Sequence, residues 1–188
     1  MRKNIREIAF YGVLSAILFV LALVPNIGMI QVGPVSITIM HIPVIIAALL
    51  FGVKGGLLMG VLFGVLSWFL ALTRAATPID LWFQNPLVAI LPRAAFGGFA
   101  GLMAGAFKKL ANKQPELEGV IVGALSSLFH SVLVLAVLIL VAYDLLGAPD
   151  SAAKILAIIF SVNVLAEAVG AGLVCGAVNR ALRKIMEN

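Results

Sequence analysis

Six apolar runs, each of a size to cross a lipid bilayer, leave this chain few ways to fold. They fall at about 8–24, 37–51, 57–72, 86–107, 119–143 and 152–178, and roughly 20 apolar residues rising about 1.5 Å each match a hydrocarbon core of about 30 Å. Backbone polar groups in lipid must be satisfied within the segment, so these runs are expected as helices. The expected fold is an all-α integral membrane protein, a single domain over 1–188 with six transmembrane helices. The 188 residues leave little chain outside those spans, and hence no room for a soluble catalytic or nucleotide-binding domain. Composition agrees: 63% of residues are apolar and the mean hydropathy is +1.17, against roughly 45–50% apolar in soluble domains.

The first run follows Arg2, Lys3 and Arg6 as a signal peptide would, but Ala22 and Val24 make a poor cleavage site, so it is kept as a span. Basic residues set the orientation. If the N-terminus is cytoplasmic, that side holds Arg2, Lys3, Arg6, Lys54, Lys108, Lys109, Lys113, Arg180, Arg183 and Lys184, ten of the 13 Lys and Arg. Only Arg74 and Lys154 then lie outside. Both termini are therefore expected in the cytoplasm, in a prokaryotic plasma membrane. The net charge of +5 is read as this topology signal rather than as a nucleic-acid patch. Cys175 stands alone, which excludes an intrachain disulfide and argues against a metal site. No phosphate loop, His-Glu-x-x-His or Gly-x-Ser-x-Gly motif occurs, so ATP hydrolysis by that loop and the familiar hydrolase chemistries are not expected.

The fourth run carries the main functional signal. Asn85 before Pro86 marks a helix start, and the only charge from there to Phe107 is Arg93, on the order of 10 Å along the helix. A guanidinium keeps its proton, so at that depth it needs an anion, carbonyl oxygens or water. Pro92 adds to this by removing the backbone donor for the carbonyl of Val88. Two fates are open to Arg93: an anionic ligand, or a structural role in which it snorkels outward or pairs with Glu167.

Other polar groups accompany it. His41 and Asn163 are expected in the outer half of their spans, with His130 and Glu167 near mid-membrane, and Trp68 and Trp82 toward the outer side. The inner half has no comparable set, which fits a pocket open to the outside. His41, Glu167 and the serines Ser126, Ser127 and Ser131 also have bland readings as interhelical hydrogen-bonding groups, and the tryptophans as interface anchors. Small residues mark two close-packing faces, Ala9, Gly12 and Ala16 in the first run and Gly97, Gly101 and Gly105 in the fourth. The segment 52–56 reads as a turn, 26–36 as an uncharged loop and 144–151 as another turn.

Two stretches carry a resemblance. Ile39-Met40-His41-Ile42-Pro43-Val44-Ile45-Ile46-Ala47-Ala48 with Phe51-Gly52-Val53-Lys54-Gly55-Gly56, and Asn85-Pro86 with Leu91-Pro92-Arg93 and Gly97 to Gly101, resemble the substrate-binding S components of energy-coupling factor (ECF) vitamin transporters, the pantothenate type most of all. The resemblance implies a six-helix, non-enzymatic subunit that binds a vitamin on the extracellular side. It further implies assembly with a transmembrane coupling subunit and two ATPases, so that ATP is used by the partners and this chain holds no cofactor. The family's small-residue motif for the coupling subunit falls on Gly12 and Ala16, with Ala9 beside them. Pantothenate has a carboxylate, two hydroxyls and an amide. Arg93 would take the carboxylate, Asn163, His130 and Gln84 or Asn85 the neutral groups, and Trp68 with Phe side chains the methyls, His41 being counted among the binding residues. The alternatives are an S component for a riboflavin-like vitamin or a thiamine precursor, a stand-alone secondary transporter, and a membrane enzyme using His130 and Glu167 as an acid/base pair.

Overall fold

The computed structural model describes the backbone of residues 2–25, 27–32, 35–75, 78–146 and 149–187, and the side chains of 5–25, 27–29, 38–75, 80–110, 112–140 and 163–185. Helix α1 (Arg2–Leu23) leads into a hairpin of β1 (Met29–Val32) and β2 (Val35–Thr38). Helix α2 (His41–Arg74), a 3-10 turn (Pro78–Gln84), α3 (Pro86–Ala106), a short α4 (Lys108–Ala111), α5 (Pro115–Leu146) and α6 (Pro149–Glu187) follow.

Helix α2 is two spans in one element. Straight, its 34 residues would reach about 50 Å, well beyond a hydrocarbon core. At Gly52 the backbone leaves helical geometry with φ +66°, a conformation glycine adopts without a Cβ penalty. The chain folds back there: His41 in the first arm and Phe63 in the second both reach His130, with ring centroids 5.7 and 5.6 Å away. Among the described residues, six helical segments make up the bundle when the arms are counted separately, and five helices are long and apolar enough to span a membrane.

Glycine lets the arms lie close. The second arm of α2 runs antiparallel to α3, and a Cβ added at Gly56 would strike the carbonyl of Gly97, one at Gly60 that of Arg93, and one at Gly64 the Cα of Ile90 at 2.6 Å. Backbone-to-backbone contact of this kind is how helices associate in lipid, where no hydrophobic drive separates chain from solvent. Helices α5 and α6 repeat the device, with a Cβ at Gly119 falling 2.5 Å from the carbonyl of Cys175. Ion pairs secure the same end of that pair. Arg180 meets Glu116 at 2.8 Å and Arg183 meets the buried Glu118 at 3.6 Å, while Asn179 donates to Glu118 at 2.8 Å.

At the other end, Arg74 donates to the carbonyls of Leu23 and Ala22 at 3.0 and 2.9 Å. These are orphan acceptors of the last turn of α1, where a cation is also favoured by the helix dipole. Helix α1 rests on the bundle through Leu14, Leu18 and Ala22, all buried.

Several expectations need correction. Among the described residues, a hairpin with strands at Met29–Val32 and Val35–Thr38 stands in what was read as a loop at 26–36 and takes residues 37 and 38 from the second span. The segment is uncharged, and Gln31, Gly33, Pro34 and Ser36 interrupt its apolar residues, so it reads in sequence as a loop. Of the supposed turn at 52–56 only Gly52 departs from helix. Gly105 has open space around it, so the close-packing face of α3 comprises Gly97 and Gly101 alone. The expected turn at 144–151 narrows, since α5 runs to Leu146 and α6 starts at Pro149, while 147 and 148 lie outside the described residues.

Candidate functional site

Helix α3 opens with Asn85 as its cap, the side-chain oxygen accepting from the N–H of Leu87 at 3.0 Å, and Pro86 in the first turn. Two turns on, Arg93 is 6% exposed. Its Nη1 donates to the carbonyl of Val88 at 3.2 Å, the very acceptor that Pro92 deprives of a backbone partner. Two rings flank the guanidinium, that of Phe83 with its centroid 4.4 Å from Cζ and that of Phe63 at 5.8 Å. Among the described residues no carboxylate lies within ion-pairing distance of it; the two ion pairs there are those at the far end of α5 and α6. Glu167 does not pair with Arg93, because its oxygens accept from the N–H of Thr38 at 2.7 Å and from Ser131 Oγ at 3.1 Å.

Magnitudes show what kind of site this is. Inserting an arginine at mid-helix costs about 2.5–3.5 kcal/mol, while one hydrogen bond from a charged donor returns about 1.5–3 and a ring contact about 0.5–2. The cation is tolerated without an anion. It is not exhausted, however: Nε is buried and finds no partner among the described residues.

The histidines stand beside it. His41 and His130 stack with ring planes 15° apart, and Phe96 abuts both, at 6.4 and 4.9 Å. All four imidazole nitrogens are buried without a partner among the described residues, as are the hydroxyls of Ser67, Ser126 and Ser127. A neutral imidazole offers one donor and one acceptor, so the pair presents two of each next to a fixed positive charge. Buried polar groups are ordinarily satisfied, and unpaired imidazoles sharing the Phe63 ring, through His130, with a buried cation are what a small polar anion would require.

The other expected residues make contacts of their own. Trp68 Nε1 donates to the backbone carbonyl of Gln84 at 2.9 Å, and the Gln84 side chain donates to Ala71 at 3.1 Å. Together with the capping Asn85, these groups tie the 3-10 turn to the ends of α2 and α3. Asn163 is half-buried, one helical turn before Glu167 on the same face of α6. Ala9, Gly12 and Ala16 are all exposed, and Gly12 has nothing within 4 Å of where a Cβ would stand. Phe side chains were expected beside the substrate, but Phe63, Phe83 and Phe96 were not singled out among the 11 phenylalanines. Phe96 was findable, since it follows Arg93 at helical spacing; Phe63 and Phe83 look in sequence like any lipid-facing aromatic. An open cleft of about 520 Å³ at the opposite end is lined by Lys113, Glu116 and Arg180, of which Glu116 and Arg180 pair with each other.

These features belong to a known class. A family model for the substrate-specific component of ECF transporters matches residues 6–178, and the chain belongs to that family. It is a multi-pass membrane protein. A relative named Pantothenate transporter PanT, from Leuconostoc mesenteroides subsp. mesenteroides, is 36% identical over 103 residues, 52% of this chain. The chain spans about half the length of that curated relative, 49% of it.

Proposed function

We propose that the chain is the vitamin-binding S component of an ATP-driven uptake transporter, that its substrate is pantothenate, and that Arg93 receives the substrate's carboxylate. The observation that carries this reading is a buried guanidinium with no carboxylate partner among the described residues, set beside two stacked imidazoles whose nitrogens are unpaired there. A planar guanidinium suits a carboxylate's two oxygens, and imidazoles that each donate and accept suit hydroxyls and an amide. The 36% identical relative named as a pantothenate transporter supports the choice of substrate.

In this reading the hairpin end of the bundle faces outside, both termini are cytoplasmic, and a coupling subunit with two ATPases supplies the energy. Ala9, Gly12 and Ala16 meet the coupling subunit, as their exposure on one face of α1 allows. Native mass spectrometry of gently purified protein tests the substrate: a retained mass equal to pantothenate is expected. Retention of a flavin or a thiamine precursor in its place would overturn the assignment.

A further inference from the structure

Among the described residues, Glu167 is an acid whose hydrogen bonds reach the segments beside both histidines, and the binding reading gives it no task. Its carboxylate has a distinctive placement. Oε1 accepts from the backbone N–H of Thr38 at 2.7 Å, and Oε2 accepts from Ser131 Oγ at 3.1 Å. Each of those partners leads to one histidine. Thr38 closes β2, and its hydroxyl accepts from the N–H of Met40 at 3.2 Å while the N–H of Ile42 donates to Ile39 at 3.1 Å. This stiff turn delivers His41 at the start of α2. Ser131 directly follows His130 in α5, and its single hydroxyl proton is shared between Glu167 and the carbonyl of Ser127 at 3.2 Å.

One carboxylate thus holds the segments on both sides of the stacked pair. Among the described residues, the Thr38–Glu167 contact is also the one hydrogen bond from the hairpin to another element. We infer that Glu167 is a positioning residue which, by gripping Thr38 and Ser131 together, sets the spacing of His41 and His130 and so the fit of the substrate's neutral groups.

A purely structural duty, satisfying an edge-strand N–H in lipid, would be met by any acceptor there and would not extend to Ser131. The use of both oxygens, one toward each histidine's segment, is what goes beyond it. This inference rests on the histidine pair being part of the binding site. Its first readout needs no ligand.

The chain has two histidines in all, so protein labelled with isotopic histidine and purified without a histidine tag gives NMR imidazole signals from this pair alone. Glu167→Ala is expected to shift the signals of both rings, whereas Glu167→Gln, which keeps an acceptor for Thr38, leaves them close to wild type. Pantothenate dissociation should be about tenfold faster in Glu167→Ala, the loss of a hydrogen bond to a charged group, and within about threefold of wild type in Glu167→Gln.

Unmoved imidazole signals in Glu167→Ala overturn the inference, and so do shifted signals with unchanged dissociation. Should Glu167→Ala fail to fold, Ser131→Ala decides, with the His130 signal expected to move more than that of His41; no movement of either overturns it. Failure of the wild-type protein to bind pantothenate would defeat the substrate assignment instead, and the imidazole signals would still judge the role of Glu167.

Discussion

Pro92 removes the N–H that the carbonyl of Val88 would accept, and the neighbouring guanidinium supplies a replacement at 3.2 Å. That exchange fixes the arginine inside the bundle rather than letting it snorkel. It also yields a test with opposed signs. Pro92→Ala restores the backbone donor, so thermal stability should stay level or rise while pantothenate affinity falls several-fold, because the guanidinium loses its tether. A thermal melt paired with equilibrium binding measures both; a parallel fall in the two would mean that the tether is not what matters. Phe83→Ala should weaken binding about threefold, since a ring contact of this type contributes about 0.5–2 kcal/mol. Arg93 was legible in the sequence because a lone charge in an apolar run has few explanations. Its meeting with Phe83 and Phe63 was not, since hydropathy does not say which aromatic faces inward. Nor was the stacking of His41 on His130, which depends on the chain reversing at Gly52 and on the register between helices.

The helices themselves were readable, because spanning length and uncharged composition admit one solution in lipid. How they pair was readable only in part. Gly97 and Gly101 were visible as a small-residue face on α3, but the complementary stripe of Gly56, Gly60 and Gly64 on α2 emerged only with the antiparallel register that brings the two together. Gly105 shows that spacing alone does not reveal which glycine meets a neighbour. The close contact predicts that Gly97→Leu forces α2 and α3 apart, with a loss of at least about 1–3 kcal/mol from overpacking. Gly98→Leu, one residue on and with nothing within 4 Å of its Cβ position, should be nearly neutral. Melting temperatures of the two variants in one detergent make the comparison; equal losses would contradict the packing described. The hairpin escaped notice for a different reason: β2 alternates as Val-Ser-Ile-Thr, but four residues are too few for that pattern to stand out beside Gly33-Pro34.

The bundle has two dissimilar ends. One is held by the pairs Arg180–Glu116 and Arg183–Glu118; the other carries the hairpin, the 3-10 turn and the arginine–histidine cluster. Between them, α1 leaves Ala9, Gly12 and Ala16 uncovered, a face suited to close approach by another helix. Gly12→Trp is therefore expected to prevent assembly with the coupling subunit while ligand affinity stays within about twofold, because no bundle atom lies near that position. Co-purification of the complete transporter with this variant would count against the assignment of that face. The central claim is that Arg93 receives the substrate's negative group, and equilibrium binding of labelled pantothenate to purified wild-type and Arg93→Ala protein tests it most directly. The account predicts saturable binding to the wild type and at least about tenfold weaker binding to the folded variant, the loss of a charged hydrogen bond; equal affinity in both would contradict it.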